Sequence, residues 1–255
     1  MIDLAQALCG FIVGATVGLT GVGGGSLMTP ILVLLFGIPP ATAVGTDLLH
    51  AAITKAGGTF VHANKGRVDW RISSLLAAGS LPAAVLTLLS LHYFTNGLGG
   101  SKIITTTLGV ALLFTAAALA LRTYLRRISK AHVPEKSRHP ALTIATGAVL
   151  GCVVSLSSVG AGALGITALF FLYPRLPAGR IVASDLAHAV PLTLVAGLGH
   201  WLFGSVDWRV LVSLLVGSLP GIYIGSQFAS RVPETFLRFL LAAILLLVGS
   251  KLIVF

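Results

Sequence analysis

Two acid–histidine pairs stand inside apolar stretches of this chain. Asp47 is followed three residues later by His50, and Asp185 is followed at the same spacing by His188. This spacing places both side chains of a pair on one face of a helix. Because ionisable groups are costly inside a membrane segment, a pair that occurs twice predicts a functional role in coupling or gating.

The pairs have three interpretations. Histidine titrates near neutral pH, so each pair could relay a proton. Alternatively, Thr46 and Ser184 could be helix N-caps, which would put each aspartate in a favourable first turn and make each histidine structural. Direct contact with a substrate is the third. Since no further His, Cys or carboxylate cluster accompanies either pair, we predict no metal site.

Two glycine-rich turns are the candidate substrate site. A helix that starts after such a turn presents free N–H groups to an anion, and nearby hydroxyls add donors. Close helix packing is the alternative role for these glycines. The predicted substrate-binding residues are Thr20, Gly23, Gly24, Gly25 and Ser26 in the first turn, and Ser157, Ser158, Gly160, Ala161 and Gly162 in the second.

The composition indicates a helical membrane protein. Of the 255 residues, 56% are hydrophobic and 9% are charged, whereas soluble domains carry about 25% charged residues. Several charge-free runs exceed the roughly 20 residues that cross a bilayer. We therefore interpret the net charge of +10 as membrane topology and not as nucleic-acid binding. The chain is therefore predicted to pass through the lipid bilayer several times.

An internal duplication organises the chain. The acid–histidine pair, the Val-Asp-Trp-Arg block at 68–71 and the Gly-Ser-Leu-Pro block at 79–82 all recur 138 residues later. The sequence predicts an all-α fold of two five-segment membrane repeats, residues 1–121 and 141–255, joined by a basic cytoplasmic connector at residues 122–140. Each repeat is expected to open with a short helical hairpin at its glycine turn.

Basic residues predict how the halves are oriented. If each hairpin returns to its own side, the basic loops fall on the cytoplasmic side with the connector, as the positive-inside rule requires. A hairpin that crossed once would turn Arg175, Arg180, Arg231 and Arg238 outward. We therefore predict inverted repeats with both termini outside, an architecture common among secondary transporters, which bind substrate near the midplane.

The remaining polar residues have simpler expected roles. Trp70 and Trp208 suit the membrane–water boundary, and Asp69 and Asp207 can cap the helices that follow them. Lys55 has no basic counterpart in the second half. It either reaches the interface, pairs with an aspartate or offers positive charge to an anion.

These patterns resemble the TauE/SafE family of sulfite exporters. The resemblance is carried by the Gly-x-x-x-Gly-x-x-Gly-x-Gly-Gly-Gly run at 14–25, the Gly-Thr-Asp turn at 45–47 and the repeated blocks, and it covers essentially the whole chain. In the second half, Ser158 and Ala161 stand opposite glycines of the run. The resemblance implies transport of sulfite, sulfoacetate or related sulfur-containing or organic anions across the inner (cytoplasmic) membrane. An intramembrane enzyme is a third hypothesis, which we do not favour because no nucleophile–base pair or metal triad stands out.

The sequence thus predicts a secondary transporter that exports a small sulfur-containing anion, sulfite first, by alternating access. Proton coupling through the acid–histidine pairs is left open. The alternatives are a passive anion channel and a transporter of a sulfonate or carboxylate. No nucleotide-binding sequence is present, so we expect no ATP motor and no cofactor. Glycine-rich helix faces permit a homodimer.

Overall fold

The computed structural model describes residues 3–20, 25–95, 106, 109–110, 112–117, 140–160, 162–228, 242–243 and 245–251. The regular structure in these residues is entirely helical, as predicted. The helices with defined bounds are α1 (Leu4–Thr20), α2 (Gly25–Leu34), α3 (Pro40–Asn64), α4 (Trp70–Thr95), α5 (Pro140–Ser157), α6 (Ala163–Leu172), α7 (Ala178–Leu202) and α8 (Trp208–Phe228). Residues 112–117 and 245–251 are also helical. The connector, apart from residue 140, lies outside the described residues.

Four of the described helices are long and apolar enough to cross a membrane. They are α4, α5, α7 and α8. Helix α3 has 25 residues, about 37 Å, and is also long enough, although it carries Asp47 and Lys55. Helices α2 and α6 have 10 residues each. At about 15 Å they are too short to cross on their own.

Prolines mark the starts of the two central helices. Helix α3 begins at Pro40 after Pro39, and α7 begins after Pro177; proline suits a helix start because its missing N–H has no partner there in any case. The N-cap interpretation of Thr46 and Ser184 is therefore wrong, since both lie inside a helix. The Thr46 and Ser184 hydroxyls instead accept hydrogen bonds from the backbone N–H groups of Asp207 (3.0 Å) and Asp69 (2.8 Å).

The first helix of each half packs in parallel against the fourth helix of the other half. Glycines make both contacts close, because a Cβ at these positions would meet backbone atoms of the partner helix. On α1 and α8, Gly10 faces Leu214 and Gly14 faces Ser218; on α5 and α4, Gly147 faces Leu76 and Gly151 faces Ser80. These pairs are equivalent under the repeat, so the two halves exchange matching contacts.

The central helices α3 and α7 run antiparallel to each other. Gly45, near the start of α3, lies against His200 near the end of α7, and Gly58 near the end of α3 lies beside Leu186. These two helices occupy equivalent places in the repeat.

The antiparallel arrangement separates two chemically different ends. At one end, the loop after α3 lies beside the starts of α5 and α7. The basic residues at this end are Lys65, Arg67, Arg71, Arg175 and Arg180. At the other end, the loop after α7 lies beside the starts of α1 and α3. The charged residues at this end are Arg209, Asp3 and Asp207. We call the first of these the basic end.

The exterior and the centre have opposite polarities. Large apolar side chains such as Leu86, Leu202 and Tyr223 are well exposed on the helices. Buried positions in the centre instead include serine, threonine, aspartate, histidine and lysine. An apolar surface around a polar centre is what a bilayer as solvent favours.

Candidate functional site

The centre of the molecule holds a cluster of ionisable side chains with almost no solvent exposure. All five are at most 4% exposed: Asp47, His50, Lys55, Asp185 and His188. They come from the facing helices α3 and α7, so the duplication brings both acid–histidine pairs into one region. Buried charges in a membrane protein require partners, and the contacts of this cluster define the candidate site.

Asp47 accepts two hydroxyl hydrogen bonds at one carboxylate oxygen. Thr29 Oγ1 of α2 donates to Asp47 Oδ2 at 2.5 Å, and Ser158 Oγ donates to the same oxygen at 2.9 Å. Ser158 belongs to the glycine-rich turn of the second half. The turn of one half therefore meets the acid of the other half.

The second turn has a backbone that only a few residues tolerate. Ser158 has a φ of 57°, in the left-handed region, and Gly160 and Gly162 have φ of 112° and 126°. The amides of Leu164 and Gly165 close the turn onto the Gly160 carbonyl at 3.1 and 3.3 Å. This conformation directs the Ser158 hydroxyl towards Asp47.

Each histidine joins its own half to the other half. His50 Nε2 lies 2.8 Å from Ser218 Oγ on α8, and His188 Nε2 lies 2.8 Å from Ser80 Oγ on α4. The ring of His50 also faces its acid, with Nδ1 3.8 Å from Asp47 Oδ1. Among the described residues, neither of these two facing atoms has a hydrogen-bond partner. The first pair therefore lies on one helical face, as predicted.

The two aspartates have different surroundings despite the repeat. The carboxylate of Asp185 lies against the Cα of Gly165 in the first turn of α6, where a Cβ would collide with it. Asp47, in comparison, has its carboxylate bonded by hydroxyls of α2 and of the second turn.

Lys55 is buried next to the acids. Its side chain is 4% exposed, which contradicts the interpretation that it reaches the interface. It interacts electrostatically with Asp185 and Asp47, so the cluster combines one ammonium group with two carboxylates. Within the residues described, no three His, Cys, Asp or Glu side chains are grouped as metal ligands.

The predicted substrate residues are only partly visible. Gly23, Gly24 and Ala161 lie outside the described residues, and Thr20, Gly25 and Ser26 are at helix ends whose side chains are not described. The Ser157 hydroxyl donates to the Val153 carbonyl at 2.7 Å, within its own helix. Ser158, Gly160 and Gly162 form the turn described above.

Sequence reasoning missed several residues of the site. Thr29, Ser80 and Ser218 contact the acids and histidines, and His200 Nε2 lies 2.8 Å from the Ser155 carbonyl at the base of the second turn. Ser80 and Ser218 did carry a signal, since both belong to the repeated Gly-Ser-Leu-Pro block. The capping prediction for Asp69 and Asp207 is confirmed, because both accept backbone N–H bonds from the next helix.

Comparison with known proteins identifies the family. Residues 6–252 match the family described as sulfite exporter TauE/SafE. The chain belongs to this family. It is 40% identical to the probable membrane transporter protein YjnA of Bacillus subtilis, over 96% of this chain and 98% of that protein.

More distant TauE/SafE relatives also match nearly full length. Identity is 28% to the probable membrane transporter protein YdhB of Bacillus subtilis, over 89% of this chain and 91% of that protein. It is 29% to the probable membrane transporter protein MJ0441 of Methanocaldococcus jannaschii, over 95% and 92%. No solved structure matches significantly. The chain is therefore a multi-pass protein of a membrane transporter family.

Proposed function

We propose that this protein is a secondary transporter that exports a small sulfur-containing anion, with sulfite as the first candidate, across the cytoplasmic membrane. The family supports membrane transport. The observation that carries the finer proposal is the meeting of the Ser158 turn and Asp47, which joins hydroxyl donors to a buried acid at the centre of the molecule.

An inverted-repeat topology is part of the proposal. It is supported by the antiparallel α3 and α7, by the matching contacts that the halves exchange, and by the gathering of basic residues at one end. With the basic end in the cytoplasm, the positive-inside rule is satisfied. The central cluster then lies between the repeats, where transporters of this architecture bind substrate.

The hydroxyls that donate to Asp47 are also the proposed donors to the anion. In the structure, Thr29 and Ser158 donate to the Asp47 carboxylate. An anion at this place would compete for those two donors and would be repelled by the ionised acid. Protonation of Asp47 removes the repulsion and releases the hydroxyls, so proton binding and anion binding favour each other.

This linkage is compatible with export. A sulfite dianion that leaves with one proton still carries a negative charge outward, and the inside-negative potential favours that movement. Alternating access would then expose the Asp47 site to each side by movement of one repeat against the other. Lys55, beside both acids, would reduce the cost of holding the anion between them.

Flux into and out of proteoliposomes tests the proposal. We expect saturable sulfite transport with counterflow and a pH dependence that Asp47→Asn abolishes, because the amide keeps the shape but binds no proton. Asp3→Asn, which alters an exposed acid at the start of α1, is the matched control. An unchanged pH profile in Asp47→Asn would refute proton coupling, and linear flux without counterflow would indicate a passive channel instead.

A further inference from the structure

A second polar site lies at the basic end, away from the central cluster. It is a cleft of about 170 Å³ between the start of α4, the start of α5 and the loop before α7. Its polar wall includes Asp69, Arg71, Tyr173 and Arg175. The volume is enough for several waters or one tetrahedral oxyanion.

The charge in the cleft is positive. Two arginines line it against one aspartate, whose Oδ1 already accepts the N–H groups of Arg71 and Ile72 at 3.2 and 3.3 Å. Arginine matches the geometry of phosphate oxygens and can bind two of them at once. Two arginines from separate elements are therefore suited to bind one phosphate group together.

An exposed tryptophan beside the cleft indicates a place near the lipid head groups. Trp70, the residue before Arg71, is 61% exposed at the start of α4, as a tryptophan at the membrane–water boundary would be. Tyr173 is buried behind the cleft, where its hydroxyl is 2.7 Å from Thr143 Oγ1 and fixes the wall. The cleft thus has a hydrogen-bonded wall on one side and is partly open.

The equivalent place in the other half has the opposite charge. Arg209 and Asp207 correspond to Arg71 and Asp69, but Gly37 stands in place of Arg175, since Pro39 and Pro177 precede equivalent helices. Asp3 stands in place of Pro140. That end therefore has one arginine against two aspartates. The pair of arginines is thus not repeated at the equivalent place among the described residues, and the other end provides an internal control.

We propose that the cleft lined by Arg71 and Arg175 binds a single phosphate-type oxyanion, either the head-group phosphate of an acidic phospholipid or free phosphate. Binding there is separate from transport through the central cluster. One bound ligand would contact the loop after α3 in the first half and the loop before α7 in the second half.

Lipid retention and thermal stability of the purified full-length protein test this site. The probes are phosphatidylglycerol, phosphatidylcholine and inorganic phosphate, with native mass spectrometry and melting temperature as readouts. The variants are Arg71→Gln, Arg175→Gln and their combination, with Arg209→Gln as the control. We expect the double variant to bind the oxyanion at least about tenfold more weakly, because each charged hydrogen bond contributes strongly, and Arg209→Gln to bind like wild type.

The outcomes separate the two sources of the phosphate group. Stabilisation by phosphatidylglycerol without an effect of inorganic phosphate assigns the site to lipid, and stabilisation by inorganic phosphate in detergent assigns it to the free ion. The proposal fails if neither probe binds more tightly than phosphatidylcholine, or if Arg209→Gln weakens binding as much as the double variant. Because no flux is measured, this failure is independent of the transport proposal.

Discussion

The hydroxyls around Asp47 explain how a buried carboxylate is held in this molecule. Ionised groups at such depth need hydrogen bonds or opposite charge, and Asp47 has the hydroxyls of Thr29 and Ser158 together with nearby Lys55. Asp185 lies against Gly165 in the first turn of α6. The close approach of that carboxylate requires a residue without a Cβ.

We predict that Thr29→Val and Ser158→Ala each weaken sulfite binding. Each removes one hydroxyl donor, and a hydrogen bond to a charged group contributes about 1.5–3 kcal/mol, which corresponds to a KM higher by roughly tenfold or more. Initial rates of sulfite uptake into proteoliposomes over a range of concentrations provide the measurement. Ser155→Ala is the control, because its hydroxyl bonds to the Gly151 carbonyl within its own helix. Equal KM values in all three variants would show that these hydroxyls do not meet the anion.

Thr29 shows why part of the site escaped sequence reasoning. Comparison of the halves highlights the repeated blocks, and Thr29 lies outside all of them. A single threonine in a short apolar helix is also an ordinary residue to find. Only the folded arrangement of α2 against α3 shows that its hydroxyl meets Asp47.

At the scale of helices, glycine sets the distance between the two halves. The α1–α8 and α4–α5 contacts place backbone against backbone. The helices that the halves exchange are therefore held together by close backbone packing and not by contacts between long side chains. Glycine-rich faces were also expected to permit a homodimer, which stays a prediction. In the described helices, several of these faces are already used inside the chain.

We predict that Gly79→Ala destabilises the protein whereas Gly57→Ala does not. A Cβ at Gly79 would meet the carbonyl oxygen of Ile144 on α5, but at Gly57 nothing lies within 4 Å. Overpacking of this kind costs about 1–3 kcal/mol. Melting temperature in detergent measures the difference, and Gly217→Ala, the equivalent change against Ala7, should behave like Gly79→Ala. Similar melting temperatures for Gly79→Ala and Gly57→Ala would contradict the close packing of α4 on α5.

The helix boundaries illustrate what local signals do and do not reveal. The helical character of each segment follows from its apolar length, and the starts of α3 and α7 were available from Pro39 and Pro177. Thr46 and Ser184 have side chains that are typical of N-caps, but they lie inside α3 and α7. The choice between cap and interior depended on long-range bonds to Asp207 and Asp69, which no local pattern reveals.

At the scale of the whole molecule, the duplication predicted which residues are equivalent but not which of them touch. A repeat in sequence is compatible with halves that pack side by side or with halves that exchange helices. The exchange seen here depends on the match between Gly10 and Leu214, and again between Gly147 and Leu76, across the two halves. Contacts that recur in both directions support the proposed two-fold relation between the halves.

The direction of that two-fold relation is the most consequential expectation for transport. If its axis lies in the membrane plane, equivalent positions of the two halves face opposite sides of the bilayer. Arg71 and Arg209 are such a pair, and both are exposed. Their accessibility therefore distinguishes inverted from parallel repeats without any assumption about the substrate.

We predict that Arg71→Cys is labelled only from the cytoplasmic side and Arg209→Cys only from the outside. Both would be made in a background in which Cys9 and Cys152 are replaced by alanine, and a membrane-impermeant maleimide would be applied to intact cells and to inside-out vesicles. Labelling of both positions from one side would establish parallel halves and remove the midplane site between inverted repeats. Labelling from opposite sides with the order reversed would preserve the inversion but place the basic end outside, against the positive-inside rule. The expected pattern would put the Asp47 cluster between two oppositely directed halves, where movement of one against the other exposes it to each side in turn.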